Sequence, residues 1–134
     1  KKILIQENDK SIRDVLKLAL EAEGFKAVIV ADINKQLLQI IHKINPAVVV
    51  LDFICNGSNA ILMRRMIRSA YPTLPVLAIS CNNNIKTCFA KFGFEGYIAK
   101  PFDLDVLFDT LNCYTQRILH IPKIPAIQTL QYQL

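Results

Sequence analysis

Five short runs rich in β-branched and aliphatic residues recur along the chain, and longer segments with helical spacing separate them. These runs are predicted strands at residues 2–6, 27–30, 47–51, 76–79 and 96–98. The third and fourth runs are apolar throughout, as is typical of strands buried on both faces of a parallel sheet. The alternation predicts an α/β fold of five βα units, with right-handed crossovers and helices on both faces of the sheet.

The segments between the strands repeat apolar residues at i, i+3, i+4 and i+7, which places them on one helical face. The segment around residues 85–92 has the least regular pattern, and residues 81–84 before it have the composition of a loop. The other four segments predict core-facing stripes: Ile12, Val15, Leu16 and Ala19; Leu37, Ile40, Ile41 and Ile44; Met63, Met66, Ile67 and Ala70; and Leu104, Leu107, Phe108 and Leu111.

Capping residues predict where these helices begin and end. Asp and Ser side chains accept hydrogen bonds from free N–H groups at a helix start, while glycine and proline mark helix ends. The predicted N-caps are Asp9, Asp32, Ser58 and Asp103; Gly24 ends the first helix, Pro46 follows the second, and Pro72 and Pro75 follow the third.

The composition limits the classes of function. A length of 134 residues, 52% of them hydrophobic and 20% charged, suits one globular domain. The net charge of +5 is not gathered into a Lys/Arg run, so we expect this domain to make no direct nucleic-acid contact. No apolar run approaches the roughly 18–20 residues of a membrane span, so we expect no membrane contact.

The four cysteines contain no CxxC pair, and no histidine lies at metal-ligand spacing from them: Cys55, Cys81, Cys88 and Cys113. This spacing disfavours a zinc site. Scattered cysteines in a core-rich chain indicate reduced thiols, and therefore a cytoplasmic protein.

Polar residues follow the predicted strands at one edge of the sheet. Glu7, Asn8 and Asp9 follow the first strand, Asp52 the third, Ser80 the fourth and Lys100 the fifth. Parallel α/β sheets carry their function at the carboxyl ends of the strands. Taken singly, these residues could be caps, turn residues or solvated charges, but their joint placement favours a functional site.

Such a cluster suits phosphoryl chemistry. Carboxylate oxygens can hold a hard cation such as Mg²⁺, and Asp52 could then attack a phosphoryl group. Ser80 could donate a hydrogen bond to a phosphoryl oxygen, and Lys100 could pair with its charge.

Four segments resemble the receiver domains of two-component response regulators in order and spacing: KILIQEND, VVVLDF, PVLAIS and GFEGYIAKPFDLDVL. The resemblance covers roughly residues 2–114. It implies a doubly wound, flavodoxin-like (βα)5 fold with strand order 2-1-3-4-5. It also implies transfer of a phosphoryl group from a histidine kinase or phosphotransfer protein, assisted by Mg²⁺.

The resemblance assigns the acceptor and metal positions. Asp52 corresponds to the phosphoacceptor, and Glu7 and Asn8 occupy the acidic-pair positions. The backbone carbonyl of Ile54 corresponds to a metal ligand. The family usually has a carboxylate where Asn8 stands, and Asp9 is one residue out of place, so we predict weaker Mg²⁺ binding than in a typical member.

The resemblance also implies a switch. Ser80 corresponds to the switch hydroxyl, Tyr97 to the switch aromatic and Lys100 to the phosphate-sensing lysine. The Lys100–Pro101 peptide bond is expected to be cis. Further departures from the family are Asn56, Ala60 and Cys81, where Pro, Gly and a small residue are common.

Three functional classes remain to be compared. The first is a phosphoacceptor that is not an enzyme, switching homodimerisation through the helix 4–strand 5–helix 5 face, or switching an output domain. The second is a degenerate receiver that binds proteins independently of phosphate, which Asn8 favours. An enzyme or cofactor binder is disfavoured, because the chain lacks a GxGxxG turn and Ile54 stands where an Asp-based phosphatase carries its second Asp.

The chain is predicted to divide into a receiver domain at residues 1–116 and a C-terminal extension or linker at residues 117–134. Pro122 and Pro125 exclude one continuous helix in the extension. The sequence leaves open whether this segment packs on its own domain, adds a strand to a partner or derives from a vector.

Overall fold

A computed structural model describes residues 2–116 of the chain. Strands and helices alternate as the sequence predicts: β1 (Lys2–Gln6), α1 (Lys10–Ala22), β2 (Lys26–Val30), α2 (Gln36–Ile44), β3 (Val48–Asp52), α3 (Ser58–Ala70), β4 (Val76–Ser80), α4 (Ile85–Cys88), β5 (Gly96–Ala99) and α5 (Leu104–Thr115). All neighbouring strands pair in parallel, in the order β2-β1-β3-β4-β5. This confirms the predicted fold class and strand order.

Two apolar layers cover the sheet, because successive side chains of a strand point to opposite faces. On β1, Ile3 and Ile5 join the layer beneath α1 and α5, and Leu4 joins the layer beneath α2 and α3. Every residue of β3 and β4 is buried. Since burying one large aliphatic side chain contributes roughly 1.5–3 kcal/mol, the two central strands anchor the fold.

The helices contact these layers through narrower stripes than the sequence predicts. Leu16, Leu20, Leu37, Ile41, Met63, Ile67, Leu107 and Leu111 are buried. Four predicted core positions are instead exposed: Val15 by 52%, Met66 by 42%, Leu104 by 43%, and Ala70. A helix lying on a flat sheet buries mainly one i, i+4 row, so residues flanking that row stay at the rim.

Two of the four predicted N-caps are confirmed. The Asp9 side chain accepts a hydrogen bond from Ile12 N, and Asp103 accepts from Asp105 N and Val106 N. The predictions of Asp32 and Ser58 as caps are wrong. α2 begins at Gln36, whose N–H bonds to Asn34 Oδ1, and α3 begins at Ser58 itself, whose N–H bonds to Asn56 Oδ1.

An asparagine two residues before each of these helices therefore accepts a hydrogen bond from the N–H of the helix's first residue. Gly57 is the N-cap residue of α3, with φ of +74°. A Cβ at Gly57 would lie 2.2 Å from the Phe53 ring, so the turn after Asp52 needs glycine there. α4 has only four residues, and turns replace the rest of the predicted helix up to Phe92.

None of the helices within residues 2–116 is both long and apolar enough to cross a membrane. The predicted extension at residues 117–134 lies outside the described residues.

Candidate functional site at the carboxyl edge of the sheet

Two buried carboxylates share one ammonium group where β1, β3 and β5 end. Lys100 Nζ lies 3.0 Å from Glu7 Oε1 and 3.2 Å from Asp52 Oδ1. The side chains of Glu7 and Asp52 are 0% and 3% exposed, and that of Lys100 is 14% exposed. The strand order brings these residues together across as many as 93 positions of sequence.

Backbone N–H groups bind the remaining carboxylate oxygens. Asn8 N donates to Asp52 Oδ2 at 3.1 Å, and Asp9 N donates to Glu7 Oε2 at 2.9 Å. The side chain of Asn8 is exposed. Hydrogen bonds from the turn after β1 therefore orient both carboxyl groups.

Burial and the hydrogen bonds within the cluster act in opposite directions on the pKa values of Glu7 and Lys100. Burial raises the pKa of Glu7 above its ordinary value of 4.5 and outweighs the hydrogen bonds from Asp9 N and Lys100, while the charge of Asp52 raises the pKa further. Burial by itself would lower the pKa of Lys100. Its hydrogen bond to Glu7 and the charge of Asp52 more than offset this, and the pKa of Lys100 is raised.

Ser80 is the last residue of β4, and Tyr97 lies within β5. Ser80 Oγ donates to the Phe53 carbonyl and accepts from Asn82 N, each at 3.0 Å. The half-buried Tyr97 ring packs against Phe89, with 5.1 Å between ring centroids. In this conformation the Ser80 hydroxyl is engaged with the loop that follows β3.

The loop after Asp52 forms one wall of an open cleft of about 560 Å³. The Ile54 carbonyl accepts a hydrogen bond from Gly57 N at 2.8 Å, and Cys55 adopts a left-handed φ of +57°. The cleft is lined by residues of three loops, the strand ends and the first turn of α3: Gln6, Asn8, Ala31, Asp32, Ile33, Asp52, Ile54, Cys55, Asn56, Ser58, Asn59 and Ala60.

The Lys100–Pro101 peptide bond is cis, as the resemblance implied. Lys100 N donates to the Ser80 carbonyl at 2.8 Å, which ties the start of this turn to β4. The backbone thus sets the point from which the Lys100 side chain reaches Glu7 and Asp52.

Two supporting side chains, Gln6 and Arg13, were not singled out in the sequence. Gln6 Oε1 accepts from Asp52 N at 2.9 Å, and Arg13 donates one amino group to the carbonyls of Glu7 and Asn8, both at 2.9 Å. The only sequence signal for Gln6 is a polar residue in a buried strand. Nothing in the helical pattern distinguishes Arg13 from a solvated arginine.

The candidate metal ligands are the carboxylates of Glu7 and Asp52, the Asn8 amide oxygen and the Ile54 carbonyl. Their oxygens suit a hard cation, but they carry little negative charge. Carboxylates, an amide oxygen and a carbonyl are all oxygen ligands, which Mg²⁺ prefers. Within residues 2–116, no group of three or more His, Cys, Asp or Glu side chains is arranged to hold a metal ion. The residues present fit a magnesium site in which two carboxylates supply all the negative charge.

The fold and this site define a signalling receiver module. A family model described as "Response regulator receiver domain" matches residues 3–112, and the chain belongs to that family. It is 34% identical over 114 residues to an NtrX-like response regulator of Rickettsia typhi, covering 82% of this chain and 24% of that protein.

Solved structures agree with this assignment. The receiver domain of Francisella response regulator 1452 superposes with a TM-score of 0.74 at 27% identity, covering 87% of this chain and 98% of that one. NtrX from Brucella abortus superposes with a TM-score of 0.77 at 25% identity, covering 94% of this chain and 29% of that one.

The chain spans about a quarter of the length of the first curated relatives it matches. Receiver domains are generally signalling modules without enzymatic activity, and they typically bind Mg²⁺.

Proposed function

We propose that this chain is a phosphoacceptor receiver in which Asp52 takes a phosphoryl group from a histidine kinase or phosphotransfer protein. The observation that carries the proposal is the cluster of Lys100, Glu7 and Asp52 in an otherwise apolar sheet. An Asp52 carboxylate oxygen attacks the phosphorus of a phosphohistidine, a P–O bond forms and the P–N bond breaks. The histidine leaves with a proton, and Asp52 becomes an acyl phosphate.

Glu7, Asp52, the Asn8 amide oxygen and the Ile54 carbonyl would hold Mg²⁺. When bound, the ion supplies positive charge that offsets the charge of the phosphoryl group. Because Asn8 contributes no charge, binding is weaker than at a site with three carboxylates. The Ile54 carbonyl already accepts one hydrogen bond from Gly57, but a carbonyl oxygen has a second lone pair for a ligand.

Ser80, Lys100 and Tyr97 would then convert phosphorylation into a change of surface. Lys100 pairs with a phosphoryl oxygen, and Ser80 exchanges its bond to the Phe53 carbonyl for a bond to the phosphoryl group. Tyr97 follows Ser80 and alters its packing on Phe89. The face formed by α4, β5 and α5 changes as a result, and it controls homodimerisation or an output domain.

The remaining assignments follow from this function. The receiver domain comprises residues 1–116, and residues 117–134 serve as an extension or linker. The protein acts in the cytoplasm, where its cysteines stay reduced, and this domain contacts neither nucleic acid nor membrane.

A direct test is incubation of the purified chain with acetyl phosphate and Mg²⁺, followed by intact-mass measurement. We expect one acid-stable, hydroxylamine-sensitive phosphoryl group on the wild type and none on the Asp52→Asn variant. Asp109→Asn is the matched control, since Asp109 lies exposed on α5, outside the cluster of Glu7, Asp52 and Lys100. Equal phosphorylation of the Asp52→Asn variant would refute the assignment.

A second candidate is a degenerate receiver that binds its partner without phosphorylation. Two observations favour it: Asn8 replaces a charged ligand, and Lys100 already pairs with both carboxylates. Beryllofluoride with Mg²⁺ mimics the phosphoryl group and separates the two candidates. Changed amide NMR signals around Ser80 and Tyr97 support the phosphoacceptor, whereas an unchanged spectrum supports the degenerate receiver.

A further inference from the structure

The carboxamide of Gln6 connects two walls of the cleft. Gln6 is 2% exposed and lies at the end of β1, between Val30 of β2 and Leu51 of β3 in the sheet register. Its Oε1 accepts from Asp52 N at 2.9 Å, and its Nε2 donates to the Ala31 carbonyl at 2.8 Å. One side chain therefore bonds to the backbone of the acceptor residue and to the backbone of the loop after β2.

These bonds are buried or partly buried, so they are costly to break. An aliphatic residue at position 6 would leave the Asp52 N–H and the Ala31 carbonyl without these partners. An unsatisfied buried polar group costs more than the hydrogen bond itself contributes. The Gln6 amide therefore joins Asp52 N to the Ala31 carbonyl by two hydrogen bonds that an apolar side chain of the same size could not make.

The connection matters because the loop after β2 forms the wall facing Asp52. Ala31, Asp32 and Ile33 all line the cleft with Asp52. We propose that Gln6 is a positioning residue that couples this loop to the backbone of Asp52, so that the loop and the acceptor keep one relative geometry. The inference rests on the proposed function for its kinetic consequence, but the coupling itself is a property of the fold.

The kinetic test uses Gln6→Met, which keeps the length and the unbranched shape but removes both hydrogen-bonding groups. We expect the maximal rate of phosphorylation by acetyl phosphate to fall about tenfold, from lost positioning of Asp52. The half-saturating acetyl phosphate concentration should change little. Ile5→Val, a one-methylene truncation at a buried position of the same strand, is the stability control and should stay near the wild-type rate.

The structural test does not depend on phosphorylation. Ala31→Gly should loosen the loop after β2. In the wild-type background we expect the Asp52 amide signal to change its chemical shift and to exchange its hydrogen faster, as measured by NMR. In the Gln6→Met background, Ala31→Gly should leave Asp52 unaffected. Such non-additivity is the measure of coupling between the two positions.

Gln6→Asn provides a second variant if Gln6→Met does not fold. Its amide is one methylene shorter and cannot reach both the Asp52 N–H and the Ala31 carbonyl, so Ala31→Gly should again leave Asp52 unaffected. The inference is overturned if Ala31→Gly affects Asp52 equally in both backgrounds, or if Ile5→Val slows phosphorylation as much as Gln6→Met. A wild-type chain that takes up no phosphate refutes the proposed function, and the amide signals then still decide the coupling.

Discussion

Ion clusters lie at both ends of the sheet, and they differ in how their charges are balanced. At the amino end, Arg68 pairs with Glu95 Oε2 and also donates to the Pro72 carbonyl, while Glu95 Oε1 accepts from Val76 N at 2.7 Å. At the carboxyl end, Glu7 and Asp52 share the single ammonium group of Lys100. The amino-end pair is neutral, whereas the carboxyl-end cluster has one negative charge in excess.

The difference in charge balance distinguishes the structural Arg68–Glu95 ion pair from the candidate functional site around Lys100. The Arg68–Glu95 pair satisfies the carbonyl and N–H groups of the chain that leads into β4, and its side chains remain partly exposed. The excess charge beside Lys100 lies almost fully buried, where it is unfavourable until a cation or another cationic group compensates it. A bound cation would offset this charge, which is the role that the proposed function gives to the cluster.

Removal of the Lys100 ammonium group should cause the largest difference in stability between the two clusters. Lys100→Met leaves two buried carboxylates without a counter-charge and should lower the free energy of unfolding by about 3 kcal/mol at neutral pH. Arg68→Met should cost less, since Glu95 is 25% exposed and keeps its bond from Val76 N. Urea unfolding of both variants measures the difference, and equal losses would show that the two clusters are equivalent.

Addition of a carboxylate should sharpen the contrast at the carboxyl end. Asn8→Asp supplies the charge that the metal position lacks and should tighten Mg²⁺ binding about tenfold, which corresponds to roughly 1.4 kcal/mol. A Mg²⁺ titration followed by amide NMR checks this. Asn59→Asp adds the same charge elsewhere in the cleft and should have a smaller effect. The idea fails if both variants bind like the wild type.

Neutralisation of one carboxylate should change the free energy of unfolding in opposite directions at the two ends of the sheet. Asp52→Asn removes the excess charge and should raise the free energy of unfolding by about 1 kcal/mol in metal-free buffer. Glu95→Gln leaves the partly buried Arg68 without its counter-charge and should lower it by a similar amount. Thermal unfolding of the pair at one pH decides this, and a shared sign would contradict the charge argument.

A smaller effect is expected in the pH dependence of stability. The pKa of Glu7 is raised in the folded state, so the unfolded chain loses this proton first as pH rises. Stability should therefore decline with rising pH from about 4.5 up to the raised pKa of Glu7. Glu7→Gln should remove that decline, whereas Glu95→Gln should keep it. A decline of the same size in the Glu7→Gln variant would exclude Glu7 as its cause.

Local pattern was enough to predict the five strands, because buried parallel strands are short, continuous apolar runs. The same reasoning placed Asp52 and Lys100 at strand ends and brought both to one edge of the sheet. It failed for the caps of α2 and α3, because α2 begins four residues after Asp32 and Ser58 is already the first residue of α3. Asn34 and Asn56 instead accept hydrogen bonds from the first N–H group of each helix. Only the folded backbone decides which side chain reaches them.

The sequence by itself determined the fold class, the positions of the five strands to within one residue at each end, and the residues that meet at the carboxyl edge. These depend on apolar periodicity and on order along the chain. The tertiary structure alone decided that Lys100 lies between Glu7 and Asp52, that Ser80 binds the Phe53 carbonyl, and that Gln6 joins Asp52 to Ala31. These contacts join residues 25 to 93 positions apart. Their geometry depends on loop conformation and burial, which no local pattern encodes.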